Sequence, residues 1–253
     1  MASVCTDGDV VAKRRDVLGA LSTRKAKPEL VDELDVSRST VDRAIEALLD
    51  HGFVERRGSE YVATYAGRAA VAAYDGFLRR LDGLGAAQSV LSKLPPDVAI
   101  PPVVFDGATV HESTPEAPER PIEESLDLVK GATSLRGTAP AILSRYIEVF
   151  HTLVEDGTDI ELVLTESVVD RLADTYPDGF ATLKARAAIT LHETVESLPY
   201  GVWTAERPAG PVSGLVVYGE YGLAGIVSND TEAMNEWAAE QYAAIRDGAE
   251  RLD

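Results

Sequence analysis

Residues 37–54 read SRSTVDRAIEALLDHGFV, and their pattern decides the fold of the first quarter of the chain. Val41, Ala44, Ile45, Leu48 and Leu49 recur at three- and four-residue intervals, which predicts a helix with one buried face. Ser37 supplies an N-cap hydroxyl for that helix, which runs to about Asp50. Gly52 stops it, because a residue without Cβ enters the left-handed region at no steric cost. The polar side near the helix start carries Arg38, Ser39, Thr40, Asp42 and Arg43.

Upstream, Val10, Val11, Val17, Leu18 and Leu21 predict a first helix over 10–20, with Lys13, Arg14 and Arg15 on its other side. Residues 24–27 read as a linker. Pro28 opens a second helix over 29–34, with Leu30, Val31 and Leu34 apolar, and Asp35 and Val36 make the turn into the third. Downstream, 53–55 and 61–64 read as strands around a turn at 56–60 that holds Arg56, Arg57 and Gly58. Short helices, a tight turn, a longer helix with polar groups at its start and a hairpin describe a winged helix-turn-helix. The start of the third helix enters a major groove in such modules. Arg38 and Arg43 can reach guanine edges or phosphates, Ser39 and Thr40 can bond either, and Ser37 sits beside them. Arg56 and Arg57 stand at the wing tip, where phosphates are met. The run from Ser37 through Val54 resembles winged-helix regulators of the MarR and ArsR type. Such modules also serve as protein-interaction domains; arginines at both the helix start and the wing favour double-stranded DNA. His51 reads as a capping or packing residue.

The net charge of −18 runs against a basic footprint. It is unevenly spread. Residues 1–66 hold 10 Lys and Arg against 12 Asp and Glu, which leaves 14 against 30 in residues 67–253. The acid therefore lies outside the segment assigned to DNA. Only six lysines occur, and an acidic, lysine-poor surface resembles proteins of salt-loving archaea, where salt screens self-repulsion. The expectation is a fold whose stability rises with salt. Cys5, the one cysteine, excludes an internal disulfide and reads as a thiol near the N-terminus. No apolar run has the length of a membrane span and no signal peptide is legible, so the expectation is cytoplasmic.

Residues 66–94 form a helical pattern with Val71, Tyr74, Leu78, Leu81, Leu84 and Leu91 near one stripe, suited to packing on the winged helix or on a second copy. Prolines 95, 96, 101 and 102 break it, Val103–Phe105 suggests a short strand, and 106–121 reads as an exposed excursion. The expected organisation is a winged helix over 1–66, a connecting helix over 67–94, a proline-rich bridge over 95–121 and an α/β domain over 122–253. In the last, helices are expected at 122–129, from Thr138 to 155, at 167–176 and from Thr231 to about Arg251. Strands are expected at 160–164, 189–192, 200–204, 214–218 and 222–227, giving a mixed sheet in an α/β sandwich.

Several stretches here resemble the middle domain of archaeal methanogenesis-regulator-type transcription factors. They are Ser144-Arg145-Tyr146, Gly157-x-x-Ile160-Glu161-Leu162-Val163-Leu164-Thr165, Tyr176-Pro177, Leu198-Pro199-Tyr200-Gly201-Val202, Gly225-Ile226-Val227 and Glu236-Trp237-Ala238. The resemblance spans roughly 120–253 and, with the winged helix, reproduces that family's domain order. By analogy it implies a phospholipase-D-like sensor fold.

Phospholipase-D chemistry needs a histidine with a lysine two places on; His51, His111, His151 and His192 are followed there by Phe53, Ser113, Leu153 and Thr194. His192-Glu193-Thr194-Val195-Glu196 lacks the second histidine of a zinc protease, and Gly219, Gly222 and Gly225 lack dinucleotide-loop spacing. The reading is a non-enzyme with no cofactor and no metal. Candidate effector-binding residues are Arg145, Tyr146, Thr165, Tyr200, Trp203, Tyr218 and Asn229. Thr165 follows a strand end, where α/β ligands gather, and Arg145 calls for an anionic partner, with Glu161 or Glu166 as internal choices. The expected function is a homodimeric DNA-binding regulator whose C-terminal domain senses a small molecule. The alternative is a C-terminal domain that only dimerises or docks a protein.

Overall fold

The computed structural model describes residues 2–220 and 222–252, without the side chains of 2–6 and 144, so the Cys5 thiol lies outside the described residues. Two compact units divide the chain, Met1–Arg79 and Arg80–Asp253.

In the first unit, α1 (Ala2–Ala20) bends at Arg14, whose φ of −121° is not helical. Residues 25–26, read as linker, form a two-residue strand β1 (Lys25–Ala26) paired antiparallel to a later one. Then follow α2 (Lys27–Leu34) with Pro28 in its first turn, a left-handed Asp35, and α3 (Arg38–Asp50). Ser37 caps α3 by accepting the Thr40 N–H at 3.2 Å, an interaction of about 1 kcal/mol. Gly52 has φ +70° beyond the helix end. The hairpin β2 (Val54–Arg57) and β3 (Glu60–Ala63) turns at Gly58, φ +69°. Leu18, Leu21, Leu30, Val41, Ile45 and Leu48 are fully buried and make the core of this unit.

Helix α4 (Tyr65–Ala86) carries the chain into the second unit, followed by the single turn α5 (Gln88–Leu91). The break between units falls within α4, well before residue 95. The reason is packing: Gly83 brings the helix so close to the Phe105 carbonyl that a Cβ would sit 1.9 Å from its oxygen, and Ala87 and Val90 join the second core. Val103–Phe105, read as a strand, is a 3-10 turn (Pro102–Phe105). The supposed excursion contains β4 (Thr109–Glu112), an edge strand of the sheet.

The second unit continues with α6 (Arg120–Val129), β5 (Ser134–Ala139), α7 (Ser144–Glu155), β6 (Asp159–Thr165), α8 (Glu166–Thr175), α9 (Pro177–Lys184) and β7 (Ile189–Thr194). It closes with β8 (Gly201–Glu206), β9 (Val212–Gly219), β10 (Gly222–Asn229), α10 (Glu232–Asp247) and β11 (Glu250–Arg251). Thr138 and Ala139, read as a helix start, end a central strand instead. Pro177, just beyond the helix expected over 167–176, opens α9 at a position where its missing N–H costs nothing. The last helix ends at Asp247, and Arg251 pairs with His192 on the sheet edge.

The eight strands run in the order β11-β7-β6-β5-β8-β9-β10-β4. β5, β6 and β7 are parallel and the remaining pairs antiparallel, so the fold is the expected mixed sheet. One face packs against α10 and the 84–105 segment through Val163, Val202, Leu215, Val227, Met234 and Trp237. The other packs against α6 to α9 through Leu135, Leu162, Leu164, Leu172 and Ile226. Burying such side chains contributes about 1.5–3 kcal/mol each.

On that second face Trp203 stands in register between Gly137 of β5 and Gly214 of β9. A Cβ on Gly214 would lie 2.3 Å from the Trp203 ring, so the indole lies flat over a residue that must have no side chain. Gly214→Ala is expected to cost about 1–3 kcal/mol through forced displacement of the ring. Urea unfolding followed by tryptophan fluorescence checks it, because both tryptophans, Trp203 and Trp237, belong to the second unit.

Candidate functional site

The residues singled out from sequence fall in both units. In the first unit, Ser37, Arg38, Ser39 and Arg43 are exposed at the start of α3, with Thr40 half-buried beside them. The Ser37 hydroxyl is engaged as the cap and lies 2.9 Å from the Ser39 hydroxyl and 2.8 Å from that of Thr40. Arg43 donates one N–H to the Ser39 carbonyl at 3.1 Å, which holds the guanidinium along the first turn. Asp42 would oppose an anion here, but Lys27 pairs with it at 2.6 Å. The Lys27 hydrogen bond, and then its charge, hold the Asp42 carboxyl below the usual carboxylate range. On the hairpin, Arg56 is exposed and donates to the Gly58 carbonyl at 2.8 Å. Arg57 is exposed too but spends two N–H groups on Glu55, at 2.9 and 2.7 Å. His51 is a C-cap that contacts Asp7 at 2.6 Å and stacks on Phe53. Arg15 is tied to Asp75 of α4.

In the second unit a cavity of about 100 Å³ lies between the sheet and helices α6 and α7. Its floor is Leu135, Gly137, Trp203 and Ile226; its walls are Ser125, Leu126 and Val129 of α6 and Tyr146, Val149 and Phe150 of α7; Ile142 and Tyr218 close one end. No lining residue is charged. The Tyr146 and Tyr218 phenols are neighbours in this lining, and the Tyr218 hydroxyl donates to the Ala141 carbonyl at 3.5 Å. Burial pushes both phenols up, Tyr218 well above its ordinary value with the neighbouring Tyr146 adding to the shift, so both remain protonated.

Of the seven candidate effector residues, the cavity thus brings together Tyr146, Trp203 and Tyr218. The other four go elsewhere. Tyr200 packs on Trp237 at 6.0 Å and donates to Gln241 of α10 at 3.1 Å. Asn229 is buried and donates to the Val104 and Asp106 carbonyls at 3.0 and 2.8 Å, while its carbonyl accepts the Thr231 N–H. Thr165 caps the β6 end beside Ser167 at 3.1 Å, in a separate polar hollow with Thr194 and Glu196. Arg145 is 39% exposed and pairs with Glu148 at 3.1 Å and Glu123 at 3.9 Å, joining α7 to α6 outside the cavity.

Glu161, proposed as an Arg145 partner, instead anchors a cluster on the α10 face. It accepts from His192 Nε2 at 3.1 Å and Arg246 Nε at 2.9 Å, with Arg136 Nε at 3.7 Å. His192 is 1% exposed and its Nδ1 has no partner among the described residues. No group of three or more metal-ligating side chains occurs among the described residues. No helix among them is long and apolar enough to cross a membrane.

Residues 10–83 match the family described as the HVO_A0261 N-terminal domain. No curated protein sequence matches the chain. Among solved structures, the chain is similar to TrmBL2, an archaeal chromatin protein whose structure is described as showing a novel mode of DNA binding. Identity is 11% and the TM-score 0.43, over 95% of this chain and 94% of that one. A polyphosphate kinase from Porphyromonas gingivalis aligns at 15% identity and a TM-score of 0.38, over 79% of this chain and 30% of that one. HmgR from Pseudomonas aeruginosa aligns at 16% identity and a TM-score of 0.25, over 97% and 96%. Residues 118–248 match the middle domain of the methanogenesis regulatory protein FilR1, over more than half of the chain, and the chain belongs to that family of transcription regulators.

Proposed function

We propose that this regulator binds double-stranded DNA sequence-specifically as a homodimer, and that the cavity of its second unit takes a small-molecule effector. The observation that carries the DNA reading is the exposed row Arg38, Ser39 and Arg43 at the start of α3, with Asp42 neutralised by Lys27 and Arg56 exposed on the hairpin. Polar and cationic groups at a groove helix and a wing are what base edges and phosphates require. Two winged helices would read two half-sites, as helix-turn-helix dimers do. Exposed Tyr65 and Phe77 on α4 offer apolar surface for that pairing.

An effector would act by population shift, binding one arrangement of the dimer better than another; equal affinity for both would regulate nothing. The test is binding of the full chain, at high salt, to its own upstream region and to an unrelated duplex of equal length. Tighter binding to the first by tenfold or more supports the reading, about the least that separates specific from phosphate-driven binding. Failure to bind genomic DNA fragments of any sequence would sink it and leave the winged helix as a protein-docking module.

A further inference from the structure

The cavity beneath α6 and α7 limits what it can hold. Its lining carries no charge, and Arg145, which precedes Tyr146, pairs with Glu123 and Glu148, while Arg136, between Leu135 and Gly137, lies 3.7 Å from Glu161. An ionised ligand would sit there without a counter-charge, at a cost that binding cannot recover. A sugar fails for a related reason, since each of its hydroxyls would need a partner and the walls are almost wholly aliphatic or aromatic. Of the hydroxyls in its lining, Ser125 donates to the Pro121 carbonyl at 2.7 Å and Thr138 accepts the Val202 N–H at 3.0 Å, and the other two belong to Tyr146 and Tyr218. Tyr218 donates its one proton to the Ala141 carbonyl over a long 3.5 Å, which leaves the Tyr146 O–H to face the cavity. One donor is therefore available to an incoming oxygen. Trp203, laid flat over Gly214, gives the floor a ring-sized planar surface. The volume of about 100 Å³ is smaller than the apolar cavity of about 150 Å³ that admits benzene, so it limits the occupant to no more than a single compact ring.

From this geometry we infer that the cavity binds an uncharged, single-ring or equally compact apolar molecule carrying one oxygen that accepts from the tyrosine pair. The inference rests on the effector reading above and names the class of ligand it takes.

The experiment titrates the full chain at high salt with p-cresol, toluene, benzoate and glucose by calorimetry, and repeats DNA binding with each. Saturable p-cresol binding, weaker toluene binding and none by benzoate or glucose is the expected result. Tyr146→Phe should weaken p-cresol about tenfold and leave toluene unchanged, as loss of one hydrogen bond requires. Leu126→Trp fills the cavity and should abolish both; if it does not fold, Ser125→Phe fills the same wall. Binding of benzoate or glucose with p-cresol silent would overturn the ligand class and keep the effector reading. Binding of p-cresol that survives the filled cavity would overturn the site. No binding by any probe and unchanged DNA affinity would overturn both. Lost self-association in the filled variant, without probe binding, would assign the cavity to a subunit contact.

Discussion

Replacing Arg38 and Arg43 together by alanine should weaken specific DNA binding by about 30-fold or more, since each guanidinium on a base edge contributes about 1–3 kcal/mol. Both side chains are exposed on the first turns of α3, and among the described residues Arg43 hydrogen-bonds to a backbone carbonyl of its own helix. Their removal leaves the core of Leu18, Leu30, Ile45 and Leu48 untouched, so unfolding free energy should move by no more than about 0.5 kcal/mol. Salt separates two ways of losing affinity. If the arginines read bases, the slope of log K against log salt stays as it was and discrimination between operator and unrelated duplex collapses. If they neutralise phosphates, the slope falls by about 0.9 for each and both duplexes lose affinity alike. Arg57, already shared with Glu55, should matter less than Arg56. Unchanged affinity in the double variant would show that α3 does not face DNA.

What the sequence disclosed and what it hid divide along physical lines. α3 was legible because its apolar residues follow the helical period and its ends carry a cap and a glycine, all local signals. β5 was not. Ser134 to Ala139 holds Arg136 and Gly137 where a strand would show regular alternation, and Pro140 imitates a helix opener; the segment is a strand because β6 and β8 pair with it on both sides. β1 and β11, two residues each, have no period to detect.

The candidate site repeats this lesson with a signal that was present. Trp203 and Tyr218 reach the cavity, whereas Thr165, Tyr200 and Asn229 do not. Strand parity separates them: Thr165, Tyr200 and Asn229 share parity with Val163, Val202 and Val227, which pack under α10. Nothing in the sequence, however, placed Ser125, Leu126 or Val129 opposite Trp203, because α6 and β8 meet only through the tertiary fold.

Removing the Glu161 carboxylate should destabilise the second unit more than any surface change. Glu161→Ala leaves His192, almost fully buried, without its Nε2 partner, and leaves Arg246 and Arg136 facing each other. Breaking a buried pair costs about 3–5 kcal/mol, and the partial exposure of Glu161 puts the expected loss at about 2–3 kcal/mol. The same cluster dictates a pH dependence. Burial raises the Glu161 carboxyl, but Arg246 and His192 outweigh it and hold it below its ordinary value of 4.5. Burial, then Arg246, lowers His192 below 6.5 against the pull of Glu161. Both groups bind protons more readily unfolded than folded, so both add stability above their unfolded values that is lost as pH falls through the folded ones. His192 governs the window below 6.5 and Glu161 the window below 4.5. Urea unfolding read by Trp203 and Trp237 should therefore show stability falling from pH 7 to pH 5. His192→Phe should flatten that fall and cost little at pH 7, because it also removes the unpartnered Nδ1. A slope that persists unchanged in His192→Phe would place the group that titrates between pH 7 and pH 5 outside this cluster.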